Sequence, residues 1–425
     1  VKYVIIIPDG GADKPLPELG DQTPFEAAST PHLDALARSG RVGSVRTTPP
    51  GYVAGSDVCN MVLLGYEPEK YHTGRAPLEA AAIGVTGEPG QWLFRMNLVT
   101  QGEDGTDRAG CMVDHSAGGI DGDEAHAVFS GLMDYWRQRE PDLAKDFELT
   151  PGVAYRSILV DRSGTSYAGM SSAPAHEIPN RDLMSVRPEG NPSVQRLHRL
   201  MDLATDYLAS CEVNKARREQ GVNPANAAWI WGEGTAPQLP SFLDRFGLKG
   251  GMLTSVDLLW GLARLIGWDV IECDGLTSFH DTDYAAQGRA TIEALKDYDV
   301  VCCHVESPDE ASHQGDIETK VACVEAIDEH IVGPVVEALG SFGDPEQDPD
   351  AEGWRVLVLP DHYTLCSTRK HENDPVPFLM AGAWVRSLVQ RTYSEQHANE
   401  SDLHIEPGSD LMEYFLRSGM KNTSR

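Results

Sequence analysis

The sequence predicts an α/β fold, a mostly parallel sheet flanked by helices, with a smaller α+β domain inserted into it. Three observations carry this reading. Val4-Ile5-Ile6-Ile7, Val300 to Val305 and Val356 to Leu359 are short runs rich in β-branched residues, the profile of strands buried on both faces. Between such runs, Pro31 to Arg38, Ser255 to Leu265, Ala285 to Ala294 and Thr319 to Leu339 space their apolar residues as core-facing helices do. From about Gly87 to Pro192 the rhythm breaks into turn-rich segments, so residues 87–192 are expected to form the insert, between a main domain of 1–86 and its continuation at 193–425. A chain of 425 residues is longer than one ordinary core supports, so two or three domains are expected.

In chain order, the first strand runs into Pro8-Asp9-Gly10-Gly11, leaving Asp9 at its carboxyl end. Ser56, after Pro49-Pro50-Gly51-Tyr52-Val53-Ala54-Gly55, is placed to open a helix. The insert offers strands at Trp92 to Val99 and Ser157 to Val160 and a helix near Asp123 to Tyr135, and Trp229-Ile230-Trp231 reads as an apolar core strand. Two later strands end just before Asp309 and Asp361. Residues 340–353, rich in Gly, Pro, Asp and Glu, read as a surface loop, and Ser418 to Arg425 as a frayed tail.

With 65 acidic and 35 basic side chains the formal net charge is -30, which argues against nucleic acid or an anionic membrane as a partner. An anionic substrate would have to be drawn in by metal ions and locally placed arginines. No apolar run approaches the roughly 20 residues of a membrane helix, and Val1-Lys2-Tyr3 leads into a strand without a signal-peptide pattern. A cytoplasmic protein is therefore expected. The eight cysteines are scattered without a CxxC pair and read as reduced packing residues.

Asp9, Asp309, His313, Asp361, His362 and His371 are metal-ligand types gathered in short clusters at opposite ends of the chain. Carboxylates and imidazoles in this ratio suit a pair of divalent ions, the usual apparatus for moving a phosphoryl group. Strands that each deliver such residues at the carboxyl edge of an open sheet describe one site. Asp309 and His313, four apart, would share a helix face and hold one ion together. Ser56 is the candidate nucleophile, since a divalent ion can deprotonate a serine hydroxyl and helix amides at Asp57 and Val58 would favour phosphate. His304, inside a strand, reads as packed and hydrogen-bonded. The chain thus reads as a phosphate-handling metalloenzyme.

Ile7-Pro8-Asp9-Gly10, Pro49-Pro50-Gly51 through Gly55-Ser56-Asp57, Gly74-Arg75-Ala76-Pro77-Leu78-Glu79-Ala80, Val305-Glu306-Ser307-Pro308-Asp309-Glu310, and Asp361-His362 with His371-Glu372-Asn373-Asp374 resemble, together and in this order, the archaeal-type cofactor-independent phosphoglycerate mutases of the alkaline phosphatase superfamily. The resemblance covers nearly the whole chain. It implies an alkaline-phosphatase-like metal domain interrupted by a substrate-binding domain, and interconversion of 2- and 3-phosphoglycerate through a phosphoserine, without 2,3-bisphosphoglycerate. Ser56 would be the nucleophile. Asp9, Ser56, Asp361 and His362 would hold one ion and Asp309, His313 and His371 the other, with manganese favoured and zinc, cobalt or magnesium fitting the same ligands. Arg75, Arg156 and Arg217 are the candidates for the substrate's anionic groups, and Asp114 and His115 for proton transfer to glycerate oxygens. The insert would close to keep water out. Gly119, Cys211, Glu233, Thr235 and Gln287 depart from the family's pattern and lower the basic or hydrogen-bonding capacity around the substrate. The alternative is a related metal-dependent phosphotransferase or phosphomonoesterase acting on another small phosphorylated metabolite.

Overall fold

The β-branched runs form the centre of an eight-stranded sheet in this computed structural model, which describes residues 1–387 and 389–420. Of the tail expected at Ser418 to Arg425, residues 421–425 lie outside the described residues. The sheet runs in the order His404–Ile405, Arg41–Val45, Val376–Gly382, Trp354–Val358, Lys2–Pro8, Val300–Val305, Gly250–Leu253, Asp269–Val270. All neighbours are parallel except Val376–Gly382, which is antiparallel to both strands it joins. Val4, Ile6, Ile7, Val300, Val301, Val356 and Val358 are completely buried, as strands covered on both faces require. Lys2–Pro8 lies between Val300–Val305 and Trp354–Val358, with Ile7 opposite His304 and Ile6 opposite Val358. The chain therefore leaves three adjacent strands at one edge, where Asp9, Asp309 and Asp361 follow.

The helical spacings are realised in Pro31–Ser39, Asp257–Leu265 and Tyr284–Ala294. The segment expected as one helix from Thr319 to Leu339 is Ile317–Ile327 and Gly333–Leu339, joined through a wide turn at Asp328–Val332. Asp328 is buried there because its carboxylate accepts the first amides of the Pro31–Ser39 helix, His32 N at 3.1 Å and Leu33 N at 2.7 Å.

The chain divides into two compact units: Val1–His72 with the chain from Leu239 onward, and Thr73–Gln238. The second unit is wider than residues 87–192. Strand Ala227–Thr235 pairs antiparallel with Trp92–Gln101 from Val99↔Ala227 to Trp92↔Thr235 and so belongs to its sheet. Helices Gly122–Arg139 and Val194–Leu208 pack on that sheet, their Phe129, Leu132, Trp136, Leu197 and Leu200 sharing a core with Phe94, Met96, Trp229 and Ile230. All eight cysteines are free thiols. Among the described residues no helix is long and apolar enough to cross a membrane.

Candidate active site

Asp9 and Asp361 are fully buried carboxylates leaving neighbouring strands. Gly10, at φ +58°, gives the turn after Asp9 its left-handed conformation, and a Cβ there would collide with the Asp309 carboxylate. Its amide donates to Asp361 Oδ1 at 3.2 Å, and the His362 amide donates to the same oxygen at 2.9 Å. Ser56 opens the helix Ser56–Leu63, and its hydroxyl donates to Asp9 Oδ2 at 3.3 Å. One turn further on, Asn60 Nδ2 donates to Ser56 O and to Asp361 Oδ2, both at 2.9 Å.

Asp309 and His313 lie on the helix Ser307–Gln314, as their spacing required, with His313 Nε2 3.1 Å from Asp309 Oδ2. His371 Nε2 is 3.4 Å from Asp309 Oδ1, and its ring stacks on His362 with centroids 3.9 Å apart. Beneath them Lys320, fully buried, donates to Ala12 O (3.2 Å), Asp13 Oδ2 (3.0 Å) and Thr364 O (2.8 Å), tying the turn beyond Gly11 to the strand after His362.

The hydrogen bonds fix which nitrogen of each imidazole faces the carboxylates. The Thr364 hydroxyl donates to Asp309 Oδ1 at 2.5 Å, so His362 Nδ1–H donates to Thr364 Oγ1 at 3.1 Å. His362 Nε2 is then a bare acceptor, fully buried and without a hydrogen bond, 3.5 Å from Asp9 Oδ1 and 3.4 Å from Asp361 Oδ2. Asp9 Oδ1 is likewise buried without a partner. His313 Nδ1 and His371 Nδ1 face the carbonyls of Arg369 and Ala54 at 3.0 and 3.1 Å and donate to them, which turns both Nε2 atoms, 3.0 Å apart, toward Asp309. Acceptors facing acceptors repel unless a proton or a cation sits among them, and orienting a ligating imidazole through its other nitrogen is how metal sites are built. The residues fit a pair of divalent ions. Asp9, Asp361 and His362 form one group with ligand spacing, and Asp309, His362 and His371 another.

The electrostatics match. Burial pushes Asp9 up, with Asp361 and Glu306 adding to it. Burial opposes ionisation of Asp309, yet hydrogen bonds from His313 and His371 hold it well below the usual carboxylate range. The hydrogen bond with Asp309 raises His313 to about 9. Burial lowers His362.

Sequence reasoning missed several neighbours. His304 is hydrogen-bonded, as expected, but its partner is Asp9: the Thr254 hydroxyl, which accepts from Val256 N, donates to His304 Nδ1, so His304 Nε2–H donates to Asp9 Oδ2 at 2.9 Å. Glu306, raised to about 8 by burial, forms a third group with Asp9 and His304. A histidine ending a buried strand and an acid just beyond it were the available signals. Asn60 and Thr364 carried none.

In the second unit Arg75, His115 and Arg156 gather with two residues not foreseen, Arg95 and His176. Glu79 pairs with both Arg75 and Arg95, the His115 ring lies 6.3 Å from that of His176 and 6.1 Å from that of Tyr155, and the Arg156 guanidinium lies 5.1 Å from the Tyr155 ring. Asp114, ending strand Met112–Asp114, and Arg217, on helix Glu212–Glu219, direct their side chains to the turn after Asp114. Asp114 accepts from Ser116 N and Oγ, Gly118 N and Asn223 Nδ2, and these bonds outweigh its burial and hold it below its usual pKa. Arg217, buried, donates to Glu124, Ala117 O, Gly118 O and Asn223 O.

The profile of the 2,3-bisphosphoglycerate-independent phosphoglycerate mutases matches residues 37–214. A protein of that name from Methanothrix thermoacetophila is 38% identical, over 98% of this chain and 100% of its own. The chain belongs to this family. A solved protein from Pyrococcus horikoshii is 26% identical with a TM-score of 0.76, covering 98% of this chain and 96% of its own. The cofactor-independent phosphoglycerate mutase of Thermoplasma acidophilum, 22% identical over 98% of each chain with a TM-score of 0.66, shares the fold, which is alkaline-phosphatase-like.

Proposed function

We propose that the protein interconverts 2- and 3-phosphoglycerate by way of a phosphorylated Ser56, without 2,3-bisphosphoglycerate. The observation that carries this reading is the turning of His362, His313 and His371 so that each Nε2 faces a buried carboxylate, Asp9 and Asp361 for His362 and Asp309 for the other two, with the Ser56 hydroxyl on Asp9. Asp9, Ser56, Asp361 and His362 would hold one ion and Asp309, His313 and His371 the other, and manganese suits this mixture of oxygen and nitrogen donors. When bound, such ions supply the positive charge that makes a serine oxygen nucleophilic and offsets the charge of a transferring phosphoryl group.

The chain's own residues do the rest. Asp9 Oδ2 takes the Ser56 hydroxyl hydrogen bond and aims the oxygen, while His304 holds Asp9 from behind. The amides of Asp57 and Val58 open a helix and favour an anion at its end. Arg75 and Arg156 recognise the substrate's anionic groups, and His115 exchanges a proton with a glycerate oxygen. Asp114 and Arg217 shape the turn Asp114–Gly118 through their hydrogen bonds.

The test is a coupled assay with 3-phosphoglycerate and manganese, following 2-phosphoglycerate and free phosphate separately, on the wild type and Ser56→Ala. Isomerisation that disappears in Ser56→Ala supports the mutase. Phosphate release without isomerisation would establish a phosphomonoesterase instead.

A further inference from the structure

Arg95, in the second unit, has a seat built for it. It lies on strand Trp92–Gln101 directly across from Trp231, beside an irregularity in the strand pairing between Leu93 and Arg95. Its guanidinium stacks on the Trp231 ring 3.8 Å from the centroid, and the indole is itself fixed by Nε1 donating to Asn97 Oδ1 at 3.3 Å. Gly232, at φ +66°, leaves room for the Arg95 stem, which a Cβ would meet at 3.1 Å. On one flank Glu79 Oε2 stands 2.8 Å from Arg95 Nε, while Glu79 Oε1 faces Arg75 Nε at 3.4 Å. Gly74 allows that arrangement, since a Cβ there would run into the Glu233 carbonyl.

The terminal nitrogens of Arg95 make no hydrogen bond to the described residues, although its side chain is only 12% exposed. Burial lowers its pKa to about 10; Glu79 opposes the fall, and Arg75 and Arg156 add to it. The fork therefore stays charged at neutral pH. Arg75 and Arg95 share the Glu79 carboxylate, in a chain of net charge -30. A stacked guanidinium with its Nη edge unpaired is pre-organised for a planar, bidentate anion, and carboxylate has that shape. His176, its ring 5.9 Å from that of Trp231 and its pKa lowered by burial, packs against the same indole, with Glu177 Oε1 3.8 Å from its Nε2.

We infer that Arg95, seated on Trp231, is the specificity-determining residue that receives the carboxylate of the glycerate; this rests on the mutase reading. Gln287 is buried in the other unit with its amide donating to Thr282, and Glu233 is engaged by the Ser172 hydroxyl, so neither was available as an anion ligand.

The experiment compares two ligands that differ only at the carboxylate. Calorimetric binding of 3-phosphoglycerate and of glycerol 3-phosphate is measured on the manganese-loaded full chain, for wild type, Arg95→Ala and Arg95→Lys. The expected result is a loss of about tenfold or more for 3-phosphoglycerate in Arg95→Ala, a partial loss in Arg95→Lys, and glycerol 3-phosphate affinity within about twofold throughout. Should Arg95→Ala not fold, Arg95→Lys must still show the discrimination, since it keeps the charge and loses the fork. Equal losses for both ligands would mean that Arg95 only supports the fold, and an unchanged 3-phosphoglycerate affinity, or a wild type that does not distinguish the ligands, would overturn the inference. Isomerisation is followed in the same samples: discrimination without isomerisation would sink the mutase reading and leave Arg95 as a carboxylate site.

Discussion

Replacing Lys320 with Met removes a fully buried ammonium and leaves three acceptors behind it. Asp13 Oδ2 loses an ion pair at 3.0 Å, and the carbonyls of Ala12 and Thr364 lose donors at 3.2 and 2.8 Å. Asp13 keeps the amides of Lys14 (2.8 Å) and Cys366 (3.0 Å), so its charge is still partly satisfied. The carbonyls cost roughly 1 kcal/mol each and the orphaned carboxylate supplies the remainder, for a total of about 3–5 kcal/mol. Urea unfolding at 25 °C, followed by tryptophan fluorescence, reads this directly. Adding Asp13→Asn should recover more than about 1 kcal/mol, because it removes the unpaired charge. A Lys320→Met variant within about 1 kcal/mol of wild type, or strict additivity of the two substitutions, would refute the reasoning.

Glu395 is buried and raised from 4.5 to about 7, first by burial, so the folded chain binds a proton there that the unfolded chain has released. Its contribution to stability is therefore largest below about 4.5, falls as pH rises to about 7 and is flat above; Glu395→Gln should gain on wild type across that window by up to about 3 kcal/mol in urea titrations, and a constant difference would contradict it. His313, raised to about 9 chiefly by Asp309, must lose its proton to take a metal, so manganese affinity in chelator competition should climb with pH and level off above about 9. Arg217→Met should cost about 3–5 kcal/mol in thermal or urea unfolding, while Arg156→Ala, on an exposed arginine, stays within about 0.5 kcal/mol. A neutral Arg217→Met would return that residue to the substrate-binding candidates.

The main sheet was legible because strands covered on both faces must be continuously apolar, and Val4 to Ile7, Val300 to Val305 and Val356 to Leu359 are. The gathering of Asp9, Asp309 and Asp361 was legible for a related reason: polar residues directly after such strands have one common edge to occupy. The limits of the second unit were not. Its last strand, Ala227–Thr235, lies far along the chain from its partner Trp92–Gln101, and no local pattern announces a pairing at that separation. The hydrogen bonds of Arg217 and Asp114 to the turn after Asp114 were not legible, since a charged side chain that holds a turn has the same local signature as one that binds a ligand. Arg95 lies in an apolar strand and was passed over as part of the sheet, and only the register places it on Trp231. Trp231, expected as core, is buried and still presents a face to that guanidinium.

The phosphorylated serine can be sought outright. The manganese-loaded protein is mixed with 3-phosphoglycerate, quenched in acid within the first turnovers and digested, and the peptide containing Ser56 is weighed by mass spectrometry. The account requires one added phosphoryl group on Ser56, appearing as fast as 2-phosphoglycerate forms and missing from Ser56→Ala. Isomerisation that proceeds with Ser56 unmodified, or a phosphoryl group carried by another side chain, would contradict it.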